Sequence, residues 1–395
     1  MTISRRKVLK AAAAGLGAVT TGVRPFPMLA QSRPLRIGAL ISQVDAQGQN
    51  ELIQPYDQQM RLGLELAVAE INSEGGILGR RVQLVIADDD GSPGPGAAAA
   101  LELIRNEGAA ALISGFIMAM PPFLDRMLER EDLDIPIIHA FQTPGTFCGR
   151  VAHLGSTTVQ AITSLLDHLG ADARQRTFQI SDWSPSQRTV SQQFYNLVQG
   201  GSTGAALVTT PVSGNSPGEY SGLVRWAQDL KAKNFWISIP RPYAVNVVTQ
   251  AENIGAASLF DYHFLEFSEW QAALLPPGVT AWTSLPFVAS DASPGVRDFV
   301  ERARRHARDD LVTHVAFTHY NAVRALKLGM ERADSTDGNR VLAALDGAPL
   351  ETATGPVTLG RGRYATMPMY VARATRGALE VVRRFDAVTP GATCG

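Results

Sequence analysis

The chain lacks most of what would commit it to a membrane, a nucleic acid or a catalytic centre. No apolar run in the body of its 395 residues reaches the roughly 18 needed to cross a bilayer. Basic residues are not in excess, with Lys+Arg at 36 and Asp+Glu at 37. Five of the bases (Arg5, Arg6, Lys7, Lys10 and Arg24) fall in the first thirty residues, which hold no acid. The body is left with 31 against 37, a net of −6, and no basic surface for nucleic acid or anionic lipid. Only 2 cysteines are present, Cys148 and Cys394, so one bridge at most can form, and nothing in the sequence brings them together.

Catalytic constellations are missing as well. The 7 histidines are scattered; His314 and His319 are five apart, which is not one helical face, and no His-Glu-x-x-His occurs. Gly214-Asn215-Ser216-Pro217-Gly218 has the outline of a nucleophile elbow, yet the residue after the serine must donate its backbone N–H, and Pro217 has none. Gly94-Pro95-Gly96 imitates a dinucleotide loop. The three carboxylates Asp88-Asp89-Asp90 just ahead of it would repel a pyrophosphate, and they lack the ligand spacing of a calcium loop. No enzyme activity, cofactor or metal is expected.

What is present is a large foldable body. Apolar residues make up 45% and charged residues 18%, which excludes disorder, and the length predicts two domains. Residues 1–30 read as a signal peptide. A basic start (Arg5-Arg6-Lys7) precedes a weakly apolar, alanine-rich stretch and the exit Leu29-Ala30-Gln31. The adjacent arginines resemble the twin-arginine class, which implies export to a bacterial periplasm.

From Leu35 onward, short apolar runs alternate with amphipathic segments. Strands are predicted at 35–41, 82–87, 110–114 and 135–138, with helices at about 58–74, 97–106 and 122–131. The order then repeats, with strands at about 177–181, 205–210, 234–239 and 262–265 and helices at about 157–169, 187–199, 219–232 and 243–254. Beyond Val279 it changes to three helices followed by strands at 356–359, 367–374 and 379–385. The pattern predicts two similar Rossmann-like α/β lobes with parallel central sheets, completed by late segments. Ligands of such sheets bind outside the carboxyl ends of the strands. The segments leaving those ends are 42–56, 115–122 and 139–145 in the first lobe and 182–187, 240–243 and 266–270 in the second. Facing each other, they line one cleft of aromatic and apolar surface (Tyr56, Phe116, Met118, Phe141, Trp183, Tyr243, Phe267) with few polar groups. Such a cleft suits binding of a small molecule better than catalysis.

Arg36-Ile37-Gly38-Ala39-Leu40, then Gly63 through Ile71-Asn72-Ser73-Glu74-Gly75-Gly76-Ile77-Leu78-Gly79-Arg80, then Asp88-Asp89, resemble the opening of the periplasmic solute-binding proteins for branched-chain amino acids and amides. The resemblance runs over 35–386. It implies the type I periplasmic binding fold, with crossovers near 151–156, 281–287 and 333–338. Lobe 1 is then 31–154 completed by 286–333, and lobe 2 is 155–285 completed by 338–395. A hinge would close over the ligand, and a monomer would deliver it to the permease and ATPase of an ABC importer. A sensor that regulates a partner protein is the alternative.

The resemblance also implies ligand positions. Tyr56 falls at an aromatic position of the first loop. Met118 and Ala119 lie in the loop that commonly offers hydroxyls to a ligand carboxylate, with Ala119 where a serine is expected. Phe141, Gln142 and Thr143 form the next loop, and Thr143 keeps the hydroxyl. Asp182 and Trp183 begin the second-lobe loop, while Ser268 and Glu269 match the segment that receives an ammonium group. Arg241 is placed to anchor an organic acid. A cleft short of hydroxyl donors leaves a buried carboxylate undercompensated, so the expected ligand is an apolar or aromatic molecule with one acidic or amide group.

Overall fold

Leu35–Ile41 forms β1, in which only Arg36 is not fully buried, as expected of a strand covered on both faces. It is the second strand of a parallel sheet ordered β2-β1-β3-β4-β5, with β2 at Val82–Asp88, β3 at Ala111–Ser114, β4 at Ile137–His139 and β5 at Val151–His153. The computed structural model describes residues 33–43, 54–170, 177–182, 185–199, 209–212, 222, 225–232, 234–238, 258–261, 281–375 and 378–391. Helices α1 (Gln54–Ser73), α2 (Pro93–Arg105) and α3 (Pro121–Arg130) link the strands. The Ile71–Arg80 stretch is a turn: Gly75 and Gly76 have φ of 104° and 85°, and a Cβ at Gly76 would fall 1.9 Å from Arg80 O. Glycine alone fits there.

After β5 the chain enters α4 (Thr158–Leu169). Its start is fixed by a reciprocal capping box between Thr157 and Gln160. A second sheet follows, nine-stranded among the described residues. β6 (Thr177–Asp182), β7 (Thr209–Val212), β8 (Asn234–Ser238), β9 (Ser258–Asp261) and β10 (Ala281–Leu285) are its parallel part, joined in the order β10-β9-β8-β6-β7. Helix α5 (Pro185–Gln199) follows β6. The tail supplies α6 (Pro294–Ala307), α7 (His314–Ala333) and α8 (Gly338–Leu345), then β11 (Pro349–Thr352), β12 (Gly355–Leu359), β13 (Ala365–Thr375) and β14 (Ala378–Val388). β13 pairs antiparallel with β10, β12 and β14, so the second sheet is mixed.

Several elements differ from the sequence reading. The stretches at 151–153 and 281–285, expected as crossovers, form β5 and β10. A passing chain satisfies its backbone groups by pairing with the sheet it leaves. β7 begins near the end of its predicted range, and β9 lies four residues before its own. Both neighbourhoods hold more than one short apolar run, between which periodicity does not choose. The helix expected at 219–232 is helical over its described residues 225–229, and the one at 243–254 lies outside the described residues.

The tail helices return to the first sheet. α7 crosses α1 so closely that a Cβ at Gly63 would fall 2.1 Å from Ala316 O. Around that crossing, Arg302 and Tyr320 both bind the Glu70 carboxylate, at 2.5 and 2.6 Å. α8, expected among the residues completing the second lobe, bonds the first: Gly338 N–H donates to Asp134 O at 3.1 Å. No described helix is long and apolar enough to cross a membrane.

Candidate functional site

The strand registers gather the loops. Leu40 is level with Ser114, Ser114 with His139, and His139 with His153. The segments after β1, β3, β4 and β5 therefore leave one edge of the first sheet side by side. In the second sheet Ser181 is level with Pro211 and Ser238, and Ile237 with Asp261, so Asp182 ends β6 at the corresponding edge.

Tyr56, in the first turn of α1, and Phe116 and Phe141, in the loops after β3 and β4, form a ring cluster. Their centroids are 5.0 Å (Tyr56–Phe116), 5.4 Å (Phe116–Phe141) and 5.9 Å (Tyr56–Phe141) apart, in tilted and edge-on geometries. These are favourable aromatic arrangements. Tyr56, Met118 and Phe141 are buried in the main apolar cluster, and Phe116 is half-buried against it. Ala119 is exposed. In the 115–120 loop the Met120 N–H is spent on Ile117 O at 2.9 Å. Helix α3 then opens with Pro121 and Pro122, which lack N–H groups. This loop therefore presents no hydroxyl to an anion, and α3 is a poor anion-binding helix start.

Gln142 and Thr143 are buried. The Thr143 backbone bonds Ser156 O (3.1 Å) and accepts from Thr158 N–H (3.0 Å), tying the loop to the segment that leads into α4. Its hydroxyl accepts from Gly145 N–H at 3.3 Å. Beneath the loops lies a group of histidines that sequence spacing alone does not reveal. His139 Nδ1 is 2.9 Å from Ser114 Oγ, the His139 and His153 rings are 5.9 Å apart, and His319 Nε2 would be 2.8 Å from a Cβ at Gly115. Burial pushes the His139 imidazole down to about 3 and His319 to about 4, and holds His153 well below its ordinary range. All three are neutral at pH 7, so none of them offers a cation to a ligand. At the end of β2, burial raises the Asp89 carboxyl above its ordinary value, although Ser42 Oγ donates to it at 2.6 Å. Among the described residues no group of His, Cys, Asp and Glu is arranged to hold a metal.

Of the second-lobe positions, Asp182 is described through its backbone, and Trp183, Arg241, Ser268 and Glu269 lie outside the described residues. Two residues unforeseen by the sequence reading bind the 141–147 loop from second-sheet elements. Gln193 Nε2, on α5, donates to Pro144 O at 2.6 Å. Tyr364, just ahead of β13, accepts from Phe147 N–H at 3.2 Å. A polar residue on the face of α5 that carries Val190 and Phe194 was the available signal for Gln193; nothing local marks Tyr364. Cys148, in the same loop, is disulfide-bonded. Cys394, the other cysteine of the chain, lies outside the described residues.

Residues 35–378 match the family model described as "Periplasmic binding protein". The chain is 25% identical over 325 residues to a Leu/Ile/Val-binding protein of Rhizobium johnstonii, covering 77% of this chain and 83% of that protein. Its fold is that of a leucine-, isoleucine-, valine-, threonine- and alanine-binding protein from Brucella ovis in a closed conformation, with a TM-score of 0.78, 15% identity and coverage of 92% and 99%. A solute-binding protein of an ABC transporter from Rhodopseudomonas palustris in complex with p-hydroxybenzoic acid is similar too, with a TM-score of 0.75, 16% identity and coverage of 91% and 98%. These are solute-binding proteins of a periplasmic family, not enzymes. The chain belongs to the periplasmic binding protein family, as a leucine-binding-protein-like member with the type I fold.

Proposed function

We propose that the protein is the solute receptor of an ABC importer. It captures an apolar or aromatic small molecule carrying one acidic or amide group and presents it to a membrane permease and its ATPase. Residues 1–30 are its twin-arginine signal, and lobes 31–154 (with 286–333) and 155–285 (with 338–395) close over the ligand by a hinge. The observation that carries this reading is the Tyr56–Phe116–Phe141 cluster beside a 115–120 loop without hydroxyls. Aromatic walls desolvate cheaply and grip flat groups. In the same reading Trp183 approaches from the second lobe, Gln142 and Thr143 orient the polar end, and Arg241 anchors an acid. The p-hydroxybenzoate complex of a similar fold supports this class. The leucine-type names of other relatives support a second reading, in which Glu269 receives an amino acid's ammonium group.

Calorimetry on the mature protein with benzoate, 4-hydroxybenzoate and leucine separates the two. The expected result is aromatic-acid binding that is weakened by Trp183→Ala. Tight leucine binding that survives Trp183→Ala overturns the preference. For the signal, Arg5→Lys with Arg6→Lys should leave an unprocessed cytoplasmic precursor, and a mature periplasmic product from that variant would refute the export route.

A further inference from the structure

Tyr364 lies where three parts of the protein meet. It is fully buried at the entry to β13, the strand of the second sheet that pairs with β10, β12 and β14. Its backbone bridges His153 at the end of β5, and its ring stacks on the His153 imidazole with centroids 4.1 Å apart and planes 8° from parallel. Its hydroxyl turns the other way, into the 141–147 loop. It donates to Phe147 O and accepts from Phe147 N–H at 3.2 Å. Burial pushes the phenol up to about 12, so it keeps its proton throughout the physiological range. The neighbouring Arg363 donates to Arg150 O at 2.8 Å, so the same turn holds both ends of the segment 147–150.

We propose that Tyr364 is a positioning residue of the ligand site. It fastens the 141–147 loop, which carries Gln142 and Thr143, to the second sheet and so holds that loop in one conformation for binding. The effect on binding rests on the reading that this loop meets the ligand; the fastening does not.

The test uses Tyr364→Phe, which keeps the ring stack and removes the hydroxyl. In the ligand-free mature protein, hydrogen–deuterium exchange across 141–150 should quicken roughly tenfold, the value of one or two net hydrogen bonds, with β1 and β3 unchanged. Unchanged exchange in that segment, or equal quickening throughout the first sheet, overturns the fastening role. Calorimetry with benzoate should then show binding weakened severalfold in Tyr364→Phe. An unchanged affinity overturns the positioning role. If the unaltered protein does not bind benzoate, the aromatic-ligand reading fails, while the exchange measurement still decides whether Tyr364 seats the loop.

Discussion

Gln193 Nε2 donates to the carbonyl of Pro144 across 2.6 Å, joining a helix that packs on the second sheet to the loop that follows β4 in the first. A bond between elements that a hinge would separate adds to whichever arrangement makes it.

Gln193→Ala should therefore favour the more open form. Removing one partly buried hydrogen bond costs about 0.5–1.5 kcal/mol, enough to shift a closely balanced equilibrium severalfold. Small-angle scattering of the ligand-free protein should show a larger radius in the variant. An identical radius and an identical benzoate affinity would mean that this bond does not bias closure.

Acid should weaken the fold through its buried histidines. His139 and His319 have folded-state values near 3 and 4, and His153 is also lowered, against 6.5 for a free imidazole. Below about pH 6.5 the unfolded chain takes up protons that the folded chain refuses. Stability then falls as pH drops from about 6.5 toward 4, by up to about 1.4 kcal/mol per pH unit for each imidazole. Urea midpoints measured between pH 7.5 and 4.5 should show this slope, and His153→Phe should reduce it by about one proton. A slope that is the same in His153→Phe would rule His153 out as a contributor.

Gly63→Ala separates local from tertiary preference. Within a helix, alanine is favoured over glycine by about 1 kcal/mol, yet here the added methyl would fall 2.1 Å from Ala316 O on the crossing helix α7. Forcing the helices apart costs about 1–3 kcal/mol, so the variant should be less stable by urea titration. A more stable variant would show that the crossing yields easily.

The oxidised protein should show no free thiol when denatured, since Cys148 is bonded. Reduction should lower stability by about 2–5 kcal/mol, and Cys148→Ser should reproduce that loss without reductant. A Tm that reductant leaves unmoved would make the bridge dispensable.

Much of the first sheet was legible because its signals are local. Apolar runs such as Leu35–Ile41 and the turn at Gly75-Gly76 depend on neighbours within ten residues. The loops at the strand ends followed from topology, which placed Tyr56, Phe116 and Phe141 on one side before any distance was known. The strands at Val151–His153 and Ala281–Leu285 were not legible. They are only 3 and 5 residues long, too short to show a period.

By itself the sequence determined the α/β order of the first sheet and the family. Each is written in composition, periodicity or a contiguous motif. Tertiary structure alone decided that three histidines far apart in the chain gather under the site loops, and that Gln193 and Tyr364 hold the 141–147 loop. Those relationships join residues up to 217 positions apart. Long-range contacts are selected by packing and by the need to satisfy buried polar groups, and no local pattern encodes which distant residue does so.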